Sequence, residues 1–172
     1  MIILKYIFLF FIFSGVTLIG NLISKKYKYR VKELKDFKEM CNILDSKIKF
    51  TYEPLGDILN EISGLFQNNV ISKILDKTTL ELKNNTFKLA WETGIDSQKS
   101  ALNLNDEDIN VIKGLGNMLG KTDIQGQLSE IELTMDFLDT QIRDAENECK
   151  KNEKMYRSLG TIVGLAIIII LI

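Results

Sequence analysis

Residues 122–159 read TDIQGQLSEIELTMDFLDTQIRDAENECKKNEKMYRSL, and their spacing decides the fold. Ile124, Leu128, Ile131, Met135, Leu138, Ile142, Ala145, Cys149, Asn152, Tyr156 and Leu159 follow alternating steps of four and three. An unbroken seam of this kind is the signature of one long helix packed against another, with acids on its outer faces. Thr122 with Gln125 predicts a capping box at its start. At its far end the helix runs into the uncharged stretch from Leu159 to Ile172. Such a seam needs a partner, and the other end of the chain offers one.

Tyr27, Leu34, Phe37, Cys41, Leu44 and Ile48 repeat in steps that fit a heptad, and they follow a second apolar run from Ile7 to Ile23. Lys5 is the only charged side chain before Lys25, so nearly all of the 22 bases and 23 acids lie between the two apolar ends. That layout predicts a membrane hairpin holding one polar domain on one face of a bilayer. The first run approaches the length of a spanning helix, and the second is shorter but can be extended by Lys154 and Arg157 snorkelling outward. A cleaved signal peptide fits less well, because no small-x-small site follows the first run. The expected division is a transmembrane helix over 1–24, a cytoplasmic helical domain over 25–158 and a transmembrane or membrane-inserted helix over 159–172.

Lys25, Lys26, Lys28, Arg30 and Lys32 follow the first apolar run, and Lys150, Lys151, Lys154 and Arg157 precede the second. This bias places the polar insert on the cytoplasmic side. The first five form a candidate lipid-facing cluster for anionic headgroups. A nucleic-acid role is not expected, since the bases hug the membrane and the rest of the insert is acidic. Inside the apolar tail, Gly160 and Gly164 are spaced for a small-xxx-small helix contact, with the first helix or with a neighbouring subunit of a homo-oligomer.

Between the two long helices the pattern stays helical, and no run alternates with period two. Pro54 opens a helix striped by Leu55, Ile58, Leu59, Ile62, Leu65 and Phe66. Asn68 or Asn69 caps a third, striped by Val70, Ile71, Ile74, Leu75, Thr78 and Leu82. Thr86 opens a short fourth helix with Phe87, Ala90 and Trp91, which Gly94 closes at a C′ position. Residues 95–104 read as a surface loop. Asn105 caps a fifth helix, with Leu104 and Ile109 spaced as a hydrophobic staple. The fold class is therefore all-α: about six helices bundled on a long antiparallel stalk, flanked by N- and C-terminal transmembrane helices. Trp91 reads as a core anchor rather than an interface residue.

Three apparent chemical motifs fail on inspection. Gly114 to Thr122 ends in Gly120-Lys121-Thr122, but a phosphate-binding loop needs glycine where Leu115 stands, after a strand. Asp106, Asp108 and Asn110 open like a calcium loop, yet Val111 and Asn117 occupy its required glycine and glutamate positions. Those acids suit a helix's first turn instead. Cys41 and Cys149 sit on helix seams at different heights along the stalk and are not expected to meet. With no histidine and no nucleophile–base set, neither an enzyme nor a cofactor or metal site is expected.

The chain resembles the stage III sporulation protein AB family of endospore-forming bacteria. The resemblance is carried by Glu153-Lys154-Met155-Tyr156-Arg157-Ser158-Leu159-Gly160 leading to Gly164. Supporting stretches are Tyr52-Glu53-Pro54-Leu55, Ala90-Trp91-Glu92, and Leu115-Gly116 through Leu119-Gly120 with Asp123 and Gln127. It spans essentially the whole length. The resemblance implies a non-enzymatic membrane platform in the channel complex between mother cell and forespore, among other membrane proteins of that complex. It also implies a likeness to the cytoplasmic domains of type II secretion and type IV pilus platform proteins, which dock a secretion-type ATPase. The expected location is the mother-cell membrane around the forespore, with the domain facing the mother-cell cytoplasm. The expected docking surface is a membrane-distal acidic patch of Glu53, Asp57, Asp106, Glu107, Asp108 and Asp123. A generic membrane-anchored adaptor or signalling protein unrelated to sporulation is the alternative.

Overall fold

The computed structural model describes the backbone of residues 2–51, 53–67 and 69–171. It describes the side chains of 24–152 apart from positions 52 and 68, and scattered side chains outside that range. Among the described residues there are six α-helices and no strand: α1 (Ile2–Phe50), α2 (Leu55–Leu65), α3 (Val70–Glu81), α4 (Phe87–Gln98), α5 (Asp106–Gly114) and α6 (Ile124–Leu171). A short 3₁₀ turn, Lys99–Ala101, follows α4. Among the described residues no helix is long and apolar enough to cross a membrane.

The chain divides into two compact units, one made of Met1–Val31 with Asp144–Ile172 and the other of Lys32–Arg143. In the first unit, Arg30 of α1 is bound to Glu148 of α6 at 2.6 Å. Lys28 and Val31 share a shallow cavity with Glu146, Cys149 and Lys150. The second unit contains all of α2 to α5. There Lys38 of α1 holds both carboxylate oxygens of Asp139 on α6, each at 2.6 Å. Ile48, further along α1, lines a cavity with Ile124 and Gln127 at the start of α6. Within the second unit, later residues of α1 therefore meet earlier residues of α6, and the two helices run antiparallel there.

The core of the second unit follows the stripes that the sequence lays down. Leu34, Phe37, Cys41, Leu44 and Ile48 are buried on α1, with Met40 beside them. Ile58, Leu59 and Ile62 are buried on α2, and Ile71, Ile74, Leu75 and Thr78 on α3. Leu65 departs from its stripe and is two-thirds exposed, because it lies in the last turn of α2. α3 packs on both α2 and α4, and its backbone comes close to that of α4.

That closeness depends on a glycine read differently from sequence. Gly94 does not end α4; the helix continues to Gln98, and the stretch expected to be a loop over 95–104 begins as helix and 3₁₀ turn. A Cβ on Gly94 would stand 2.3 Å from Thr78 Oγ1 and 2.8 Å from the Ile74 carbonyl oxygen. Its lack of a side chain is what lets the α4 backbone lie against α3. Gly120 is the glycine chosen for its conformation, with φ of +73° in the turn between α5 and α6.

Capping differs in two further places. Asn69 and Thr86 occupy N-cap positions without a capping side-chain hydrogen bond, and Asn69 instead donates its side-chain amide to Asp36 Oδ2 at 2.8 Å. At the head of α6 the cap is Asp123, whose Oδ1 accepts from the Gly126 N–H at 2.9 Å. The expected Thr122–Gln125 box is thus displaced by one residue. Asn105 behaves as expected: its Oδ1 accepts from the Asp108 N–H at 2.7 Å, and Asp108 Oδ2 accepts from the Asn105 N–H at 3.0 Å.

Candidate functional site

The six candidate partner-surface carboxylates do not share one patch. Glu53, Asp57 and Asp123 are exposed and belong to the end of the second unit where α1 turns into α2. Glu53, Leu55 and Ile58 line a cavity with Gly120, Ile124 and Gln127, so the two turns expected to form this end do come together. The Gly120 N–H donates to Gln127 Oε1 at 3.3 Å, and the Gln127 side-chain amide donates to the Thr122 carbonyl at 3.0 Å. These bonds fasten the turn that carries Asp123. Asp57 lies in the first turn of α2, where a carboxylate meets the positive end of the helix dipole.

Asp106, Glu107 and Asp108 are placed elsewhere. Asn103, just before them, donates its backbone N–H and its side-chain amide to the two oxygens of Glu33, each at 2.7 Å. Glu33 lies about 25 Å from Phe50 along α1 at helical rise. The head of α5 is thereby held far from the end bearing Glu53. Burial pushes the Glu33 carboxyl above its usual range, and the two bonds from Asn103 oppose that rise. Asp108 is fully buried and committed to the cap of α5, so it is a structural acid and not a surface one. Its pattern, Asn105-x-x-Asp108, was legible as a capping box. Asp106 is exposed and bound to Lys99 Nζ at 2.8 Å; that bond lowers the pKa of Asp106 and raises that of Lys99.

Of the basic cluster, Lys25, Lys26, Lys28 and Lys32 are exposed, while Arg30 is buried against α6 and bound to Glu148. Arg30 therefore holds the helix pair together. The side chains of Gly160 and Gly164 positions lie outside the described residues. At the ends of the first unit, large apolar side chains stand in the open. Leu18 and Leu22 of α1 are 62% and 65% exposed, and Leu159, Ile162 and Val163 of α6 are 44%, 60% and 45% exposed.

Trp91 is buried and bonded, as a core anchor should be. Its indole N–H donates to the Ile112 carbonyl on α5 at 2.9 Å, and its ring stacks on Phe87 with centroids 6.2 Å apart. Gly116 leaves room for it, since a Cβ there would stand 3.1 Å from Trp91 Cδ1. Neither Cys41 nor Cys149 is in a disulfide among the described residues, and burial pushes Cys41 up to about 12. A thiol with so little thiolate is a packing residue rather than a nucleophile.

These features define an all-α protein in which α2 to α5 and the adjoining parts of α1 and α6 pack together in one unit. Residues 5–172 match the family described as stage III sporulation protein AB, and the chain belongs to that family. Stage III sporulation protein AB of Bacillus subtilis (strain 168) is 29% identical over 171 residues, covering 98% of this chain and 99% of that protein. A solved structure of stage III sporulation protein AB superposes with a TM-score of 0.64 at 22% identity. It covers 70% of this chain and 96% of its own, and it supports the helical fold. The family gives the protein a role in sporulation.

Proposed function

We propose that this chain is a non-enzymatic membrane platform of the channel complex between mother cell and forespore, and that it docks a secretion-type ATPase. The observation that carries the membrane part is the exposure of Leu18 and Leu22 in the N-terminal half of α1 and of Leu159, Ile162 and Val163 in the C-terminal part of α6. Bare side chains of that size on both helices are what a lipid environment would cover. Lys25, Lys26, Lys28 and Lys32 then stand where the helices leave the apolar layer and meet anionic headgroups. In this reading the second unit faces the mother-cell cytoplasm, and Gly160 and Gly164 pack helices within the membrane.

Docking rests on the end of the second unit that carries Glu53, Asp57 and Asp123. None of the three forms a salt bridge among the described residues, although the charge of Glu53 is felt by Lys47, and together they can steer a basic surface. Glu107 and Asp106 are left out of this surface by their position, and Asp108 by its burial. Replacing Glu53, Asp57 and Asp123 by lysine in the full chain is expected to abolish binding of the system's ATPase, measured by surface plasmon resonance in detergent. Helicity should be unchanged. Wild-type affinity in that variant would exclude this end as the docking site.

A further inference from the structure

On the second unit, α5 and α6 do not close on each other, and a groove of about 560 Å³ runs between them. Residues 107, 110, 111 and 114 give it one wall, and the face of α6 from Glu130 to Gln141 gives it the other. Leu133 and Phe137, one turn apart on α6, line it while 48% and 52% exposed. Neither belongs to the seam that packs α6, so the apolar character of this face is additional to what the core requires.

Two polar side chains in the groove point to a missing partner. Thr134 is 4% and Gln141 7% exposed, and both line the cavity. Among the described residues neither makes a hydrogen bond, although buried polar groups are almost always paired. Thr78, the buried threonine of α3, shows the ordinary solution by donating to the Ile74 carbonyl at 2.8 Å. Leaving Thr134 and Gln141 bare has a cost that a bound group would remove.

The rim decides the charge of that group. Glu107 and Glu130 line the groove, and no lysine or arginine does. Of the bases flanking it in sequence, Lys113 is bound to Asp96 at 2.7 Å and Arg143 leans on Thr140 at 3.3 Å. We propose that the α5–α6 groove receives a basic amphipathic helix of a partner protein. Two apolar residues a turn apart seat on Leu133 and Phe137, a polar side chain one turn on bonds Gln141, and flanking lysines or arginines meet Glu107 and Glu130. The α6 wall is about 17 Å long at helical rise, which accommodates about three turns of such a helix. This surface is separate from the end bearing Glu53, and it stands whether or not that end docks an ATPase.

The test uses the full chain in an uncharged detergent with two labelled synthetic helical peptides, read as fluorescence anisotropy above that with empty micelles. Both peptides carry leucines at i and i+4 and a glutamine one turn on. One has lysine flanks, the other glutamate. The lysine peptide should bind at least about tenfold tighter, and the pair Glu107→Lys with Glu130→Lys should invert the order. Gln141→Leu should weaken the glutamine-bearing peptide and leave a leucine-substituted version unaffected. Phe137→Asp should remove binding; if circular dichroism shows that variant unfolded, Phe137→Ala takes its place. Equal binding of the two peptides, no binding of either, or binding that survives the Phe137 change would overturn the proposal. So would a dimer in sedimentation that dissociates on that change, because the groove would then be covered by a second copy.

Discussion

The α3–α4 contact and the α5–α6 groove belong to the same unit and are built from similar residues, yet they end in opposite states. Each pairs a short helix with a neighbour, and each contains a buried threonine and an aromatic ring. At α3–α4 the threonine is bonded and Gly94 brings the backbones together; beside it Trp91 is buried with its N–H paired. At α5–α6 the threonine has no hydrogen bond among the described residues, and Phe137 is half in solvent. The difference teaches that helical packing here has a finished side and an unfinished one. The first is organised for stability, and the second keeps its apolar and polar groups for something that arrives.

The largest effect should come from the finished side. Trp91→Ala removes a buried indole and its hydrogen bond to the Ile112 carbonyl, so urea melts should show a loss of roughly 3–5 kcal/mol. A near-neutral result would make Trp91 a surface residue and dissolve the contrast.

Gly94→Ala comes next. The new methyl would meet Thr78 Oγ1 and the Ile74 carbonyl oxygen well inside contact distance, forcing α4 away from α3. Overpacking of this kind costs about 1–3 kcal/mol, more than the gain in helix propensity returns. Gly64→Ala serves as its control. No atom lies within 4 Å of the site, so the same change there should stabilise slightly, by about 0.5–1 kcal/mol. Equal melting shifts for the two variants would mean that the close approach of α3 and α4 is not real.

On the unfinished side, Phe137→Ala should cost only about 1 kcal/mol or less, since half of the ring is already in water. A loss as large as that of Trp91→Ala would show the groove to be part of the core. The smallest effect concerns the tie that holds the head of α5. Burial raises the Glu33 pKa in the folded state, so its protonated form is favoured by folding. That stability is present below the unfolded value of 4.5 and is lost as pH rises through the folded pKa. Relative to Glu33→Gln, the wild type should therefore be more favoured below pH 4.5 than at neutrality, as paired melts will read.

Much of this was legible in the chain. The seam of α1 needed only a heptad count, because a buried residue recurring every three or four positions leaves no other face to point inward. The stripes of α2 and α3 followed for the same reason, including polar Thr78, whose hydroxyl satisfies itself within its own helix. Gly94 was misread because a glycine chosen for close approach and one chosen for positive φ look identical in sequence. Asp108 passed for a surface acid although its cap partner stood three residues before it. Leu133, Phe137, Thr134 and Gln141 gave no signal, since they lie off the seam, and exposure is settled by what does or does not cover them.

The sequence by itself determined an all-α chain, the positions of its long helices, its apolar ends and its family, because periodicity, charge placement and a boundary motif are local or one-dimensional properties. Tertiary structure alone decided that six acids fall at two ends, that Arg30 binds Glu148, and that α5 stops short of covering α6. Those outcomes depend on where the connecting turns deliver each helix. A turn is fixed by a few bonds, such as those from Asn103 to Glu33, whose partners lie far away in the chain.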